Sequence, residues 1–312
     1  MKAVGGIDEA GLGPTLGPLL FGATLFTGPA PAVGDLRAAL AGVVGERFDP
    51  AGATLAIDDS KRLFAGRRTL APLELPALAV LRPGAARPAT LEAAVAADGD
   101  AAEWAEWYRA GDALPRACDA ALVEGWRARF AAELAARGLA LVEALARPVF
   151  EPQLNGCFAR GMNKGDAVLS CVAPLITRLA AAVPQHDLEL VVDRLGGRRY
   201  YGDFLRHLFP LRPLVVVEEE PERSRYRLRD GARTLEIAFE VDGDRRHLPV
   251  ALASLCAKYV RELFVERLNR CFAARRPGLL PTAGYPQDAA RWLADVATTL
   301  EAGEREQLVR QR

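Results

Sequence analysis

Residues 5–27, GGIDEAGLGPTLGPLLFGATLFT, decide how the rest of the chain is read. An apolar start closes on Asp8 and Glu9, gives way to Gly11, Gly13, Pro14, Gly17 and Pro18, and resumes as a second apolar run. Short apolar runs bordered by Gly and Pro read as strands, so residues 2–8 and 17–27 are two strands that can pair as a hairpin. Adjacent residues on a strand face opposite sides. Asp8 and Glu9 can therefore serve one site only where the strand ends; Gly11 and Gly13 supply the turn and Pro14 stops a helix from starting. Two carboxylates held together repel unless a cation lies between them. A hard divalent ion suits such a pair, because it takes carboxylate oxygens while keeping several waters. Taken alone, such a pair is more often a polar strand end.

The composition narrows the field. With 312 residues the chain can hold one large domain or two ordinary ones, and its 50% hydrophobic and 26% charged residues are those of a globular protein. No apolar run approaches the roughly 18 residues a spanning helix needs. Met1-Lys2 leads straight into a strand, unlike a secretory signal, so the cytoplasm is the expected compartment. Forty Lys and Arg balance forty Asp and Glu, so nucleic-acid binding would need a local basic patch. The five cysteines are scattered and never spaced C-x-x-C, which speaks for reduced thiols over disulfides or a zinc site.

Further along, an alanine-rich stretch at 75–137 is expected to be a helical insertion, with helical patterns near 90–110 and 117–136 and its own small apolar face. Residues 139–150 and 188–193 (LELVVD) read as strands and 163–183 as a helix. Asp230-Gly231 marks a hairpin turn between alternating strands. Helical periodicity returns at 249–274 and 287–302. Strands and helices in this order predict an α/β domain on a mixed sheet, antiparallel at its start.

A second acid stands in matching context, since Asp193 ends the LELVVD strand and open sheets gather their chemistry at strand ends. Glu262 lies four residues after Lys258 on a predicted helix, so both can share a face. A Lys and Glu at that spacing are also the residues of an ordinary surface ion pair. The glycines of GLGPTLG do not make a dinucleotide loop, because Pro14, Pro18 and the preceding acids oppose the required helix start.

These elements together resemble the ribonuclease HII family. Its DEAGRGP and following GPV are matched by DEAGLGPTLGPL, its DSK-K/R-L by Asp59, Ser60, Lys61, Arg62 and Leu63, and its VDG strand end by Val192-Asp193-Arg194. Its ASIIAKVTRD helix corresponds to Ala253–Glu262 and its late GYP to Gly284-Tyr285-Pro286. The resemblance implies a ribonuclease H-like core at 1–74 and 138–275, the helical insertion at 75–137 and a helical extension at 276–312. It implies a monomeric endoribonuclease that cuts the RNA strand of RNA–DNA hybrids, or beside a ribonucleotide in a duplex, with no membrane partner. Asp8, Glu9, Asp193 and Glu262 would be catalytic acids holding two Mg2+ or Mn2+ ions. Backbone N–H groups of Gly11, Leu12 and Gly13 would approach the ribose, with Ser60, Lys61, Arg194, Arg198 and Tyr285 also on the substrate.

Three positions depart from the family pattern. Leu12 replaces an arginine, Arg194 a glycine, and Glu262 an aspartate. They leave open a nucleic-acid-binding protein on the same scaffold that has lost turnover. Arg194, Arg198, Arg199, Tyr200 and Tyr201 form either a phosphate-holding patch with stacking surfaces or a solvated helix start. His186, His207 and His247 have no partners at metal or triad spacing. Trp104, Trp107 and Trp126 read as packing within the insertion.

Overall fold

The computed structural model describes residues 1–49, 53–59, 62–63, 69–95, 101–109 and 111–311. The main strands are β1 (Lys2–Ala10) and β2 (Leu19–Gly28), then, past the short parallel pair β3 (Val44–Gly45) and β4 (Leu55–Ala56), β5 (Ala140–Val149), β6 (Asp187–Asp193), β7 (Leu214–Glu219), β8 (Arg223–Asp230) and β9 (Arg233–Glu240). They form a seven-stranded mixed sheet in the order β5-β2-β1-β6-β9-β8-β7. β1 runs parallel to β6, and β6 to β9, while the other neighbours are antiparallel. The expected hairpins are present, with Gly231 at positive φ in the β8–β9 turn.

Both faces of the sheet centre are covered. Ala3, Ile7, Phe21 and Leu25 pack with Val168, Val172, Leu175, Ile176 and Leu179 of the helix Lys164–Ala182. That helix is long and apolar enough to cross a membrane by length and composition alone, which the sequence reading did not expect; here it is a core helix with its apolar face against the sheet. Val4, Leu20 and Phe26 face the other way, toward the helix Leu248–Arg275, hereafter the central helix. No Gly or Pro interrupts that helix between Val250 and Arg275, and its 28 residues span about 42 Å. It lies directly on the backbone of β1 and β2. A Cβ on Gly6 would stand 2.3 Å from Pro249, and one on Gly22 1.9 Å from the Ala253 carbonyl, so only glycine admits this approach. The Thr24 hydroxyl donates to the Pro249 carbonyl at 2.8 Å and fixes the register of helix on strand.

The region 75–137 folds against this central helix. Trp104, Tyr108 and Phe150 surround Phe264 with ring centroids 5.2–5.5 Å away, and among the described residues Leu78, Leu91, Trp107, Val123, Trp126 and Phe130 join the core of the β1–β2 face. Arg267, 1% exposed, ties the region down through Glu92 at 2.5 Å, Asp112 at 3.1 Å and the Tyr108 carbonyl at 2.7 Å. The helix Ala120–Ala136 is present, capped by the Asp119 carboxylate. The helix expected near 90–110 is instead a four-residue turn, Leu91–Ala94, followed by short three-residue turns at Ala101–Glu103 and Glu106–Tyr108. Its physical stop is Val95, which is extended and bridges to Ala146 at the sheet edge. The last expected helix is also shorter, Pro286–Val296, with a separate Glu304–Leu308 after it.

Candidate active site

The register of two parallel strands assembles the site. Ile7 pairs with Val192, the last pair between these strands, so the next residues, Asp8 and Asp193, lie side by side where that pairing ends and on the same face as the central helix. Pairing of β1 with β6 stops at Ile7, whereas its pairing with β2 continues to Ala10. β1 thus runs two residues further than the sequence suggests, with one side open. Glu9, on the opposite face, can reach its neighbours through that opening. One carboxylate oxygen from each of Asp8, Glu9 and Asp193 lies within 4.8 Å of the others.

Charge is concentrated here. At an effective dielectric constant of about 20, two full charges at that separation repel by roughly 3 kcal/mol. Burial pushes the Asp8 carboxyl up to about 8, and the charges of Asp193 and Asp244 push the same way; a hydrogen bond with Ser254 and the Glu9 N–H oppose the shift. The Glu9 N–H donates to Asp8 Oδ1 at 2.7 Å. Asp193 Oδ1 accepts the Gly243 N–H at 2.7 Å. The all-carboxylate oxygen set is the donor chemistry of Mg2+ or Mn2+.

Asp244 is the acid that sequence reasoning missed. It follows Gly243 in the short helix Gly243–Arg246, is 9% exposed, and acts electrostatically on Asp8. Asp242, at φ 52°, turns the chain from β9 into that helix. An acid at the exit of the strand beside β6, as in VDGD, was the signal available. Glu262 does not join the trio. It lies eight residues beyond Ser254 on the central helix, about 12 Å along the axis, where Arg261 reaches it at 3.4 Å. Burial raises its carboxyl, against the charges of Arg261 and Lys258.

The other expected residues ring the acids unevenly. Gly11 has φ 87°, and a Cβ there would meet the Arg261 side chain at 2.4 Å, so the loop rests on that arginine. Leu12 is half-buried and Gly13 exposed. Tyr285 is exposed; a Cβ on Gly13 would stand 3.8 Å from its ring, which places the tyrosine beside the loop. The Gly284 carbonyl accepts from Thr15 and Leu16 at 2.7 and 3.2 Å. Ser60 and Lys61 lie outside the described residues; their neighbour Asp59 pairs with Arg245 at 3.2 Å. The Arg194 guanidinium donates to the Pro221 carbonyl, and Arg198 is paired with Asp166. Tyr201 is core, stacked on Phe239 at 3.6 Å, while exposed Tyr200 carries Arg199 over its ring at 5.6 Å.

No family model and no curated protein matches the chain. Among solved structures it is similar to Archaeoglobus fulgidus RNase HII in complex with PCNA, at 16% identity over 99% of this chain and 94% of that one, with a TM-score of 0.43. It is similar to Bst-RNase HIII in complex with Mn2+, at 15% identity over 99% of this chain and 66% of that one, TM-score 0.43. Ribonuclease H2 from Pyrococcus horikoshii OT3 is similar at 14% identity over 98% and 97% of the two chains, TM-score 0.40.

Proposed function

We propose that the chain is a divalent-metal-dependent endoribonuclease of the ribonuclease HII type, acting in the cytoplasm on the RNA strand of RNA–DNA hybrids or beside a ribonucleotide in a duplex. The observation that supports this most is the convergence of Asp8, Glu9 and Asp193 within 4.8 Å at the open ends of β1 and β6. Asp244 is assigned as the fourth acid in place of Glu262, since it is Asp244 whose charge acts on Asp8. Bound there, two Mg2+ or Mn2+ ions would supply positive charge to the scissile phosphate and acidify the attacking water.

The chain's own residues do the rest. Asp8, fixed by Ser254 and the Glu9 N–H, would hold such an ion in its ionised form, the positive charge offsetting the burial and repulsion that raise its carboxyl. Glu9 and Asp193 hold their oxygens toward the same point, Asp193 being oriented by the Gly243 N–H. The Gly11–Gly13 backbone, free of bulky side chains except Leu12, lets a sugar and phosphate approach its N–H groups. Tyr285 closes one side of that approach, and exposed Tyr200, beside half-buried Arg199, offers a stacking face. Leu12, where the family has an arginine, favours a second reading in which hybrids are bound in a salt-dependent way but not cut. The deciding experiment is cleavage of a labelled hybrid by the wild type, Asp8→Asn and Asp193→Asn, with Mg2+, Mn2+ or chelator. Metal-dependent product from the wild type alone is expected; equal product from all three removes the nuclease reading.

A further inference from the structure

Beneath the glycine loop lies a buried charge network that the metal site does not use. The guanidinium of Arg310, 7% exposed, donates to the carbonyls of Gly11, Gly17 and, at 3.3 Å, Pro14. The Arg310 backbone N–H donates to the Thr15 carbonyl at 3.0 Å. Asn155 fixes the segment around it, accepting from the Gln311 N–H at 2.7 Å and donating to the Val309 carbonyl at 2.9 Å. The charge of Arg310 also acts on Glu151, which has no exposed surface and accepts the Tyr108 hydroxyl at 2.7 Å. Burial raises the Glu151 carboxyl, opposed by the charge of Arg310, the Tyr108 hydroxyl and the Gly17 N–H. Burial lowers Arg310 to about 10 against the charge of Glu151.

Three carbonyls of one loop turned onto one guanidinium fix three peptide planes. In a trans peptide the N–H points opposite to the C=O, so drawing the Gly11 carbonyl inward aims the Leu12 N–H outward, toward exposed Gly13. Only a planar fork with five donors can serve several carbonyls at once; a lysine is a point charge with three. We propose that Arg310 is a positioning residue that holds the Gly11–Gly17 loop in the backbone conformation that presents its N–H groups to the nucleic-acid strand beside the carboxylates.

The substrate half of this proposal rests on the nuclease reading, whereas the loop half can be measured without it. Amide hydrogen exchange of peptides covering 9–19 should be compared in wild type, Arg310→Met, Arg310→Lys and Glu151→Gln, alongside hybrid kinetics and Mn2+ affinity. In Arg310→Met, loss of charge-assisted hydrogen bonds should speed exchange of the loop amides by at least about tenfold, with β5, β9 and the central helix unchanged. KM for the hybrid should rise by a similar factor while Mn2+ affinity stays within about threefold. Arg310→Lys should fall between, and Glu151→Gln should loosen the loop less. Wild-type loop exchange in a folded Arg310→Met overturns the proposal. Should the Met variant not fold, wild-type loop exchange in Arg310→Lys does so. A wild type that neither binds nor cuts hybrid sinks the nuclease reading alone and leaves the exchange result to decide the loop.

Discussion

Two carboxylates, Glu74 and Asp8, are buried to a similar degree and surrounded in opposite ways. Glu74 accepts the backbone N–H groups of Arg116, Ala117 and Cys118 at 2.6–2.7 Å and the Tyr259 hydroxyl at 2.7 Å. Asp8 faces Glu9 and Asp193 within 4.8 Å, with Asp244 acting on it too. A buried acid with its donors complete is a fastener, joining the helix Ala71–Val80, the 116–118 turn and the central helix. A buried acid facing other acids stores repulsion that a cation can relieve. The difference in surroundings, not burial, separates structure from chemistry in this molecule.

The comparison breaks most visibly in activity. Asp8→Asn and Asp193→Asn should each lower hybrid cleavage by at least about a thousandfold, roughly 4 kcal/mol in the barrier, while Glu74→Ala, assayed where it is folded, should cleave within a few-fold of wild type. Chemical denaturation should invert the order. Glu74→Ala leaves three N–H groups and a hydroxyl without their acceptor and should cost about 3–5 kcal/mol. Asp8→Asn should instead stabilise the metal-free protein near neutral pH.

That gain has a sign fixed by the raised carboxyl. With Asp8 near 8 in the folded chain against 3.8 for the ordinary group, the native state holds a proton the unfolded state has lost. Metal-free stability should therefore be fully present below about pH 4 and decline as pH rises toward 8, by up to a few kcal/mol from this group. Mn2+ should stabilise the wild type increasingly over the same interval, and Asp8→Asn should flatten both trends. The smallest effect sharpens the assignment of the fourth acid. Asp244→Asn should weaken Mn2+ binding by about tenfold or more, whereas Glu262→Gln should leave it within about threefold, as read by calorimetry. The reverse ranking would return Glu262 to the site.

Much of this was legible in the sequence where the signal was local. The hairpin of β1 and β2, the end of β6 at Asp193 and the Asp230-Gly231 turn follow from residues within a few positions of one another, whereas β1 runs on past the expected end at Asp8 to Ala10. The pairing Ile7 with Val192 is what brings two exits together, and no local pattern contains it. Glu262 drew attention through helical spacing to Lys258 and its place in the family-like helix, but one face of a helix spans its whole length, and the part that faces the acids lies two turns earlier at Ser254. Asp244 was hidden in a turn, VDGD, whose geometry depends on Asp242 in the left-handed region. The helix expected near 90–110 failed because Val95 is claimed by the sheet edge at Ala146. Arg310 could not be read at all, since it meets Gly11 across 299 positions.

The central claim is that Asp8, Glu9 and Asp193 form a cation site, and the anomalous scattering of a Mn2+-soaked crystal tests it most directly. The account predicts anomalous peaks bound by oxygens of these three residues, with Asp244 on the same ion or its partner, and none there in Asp8→Asn. Manganese found elsewhere at saturating concentration, with none bound by the three carboxylates, would contradict it.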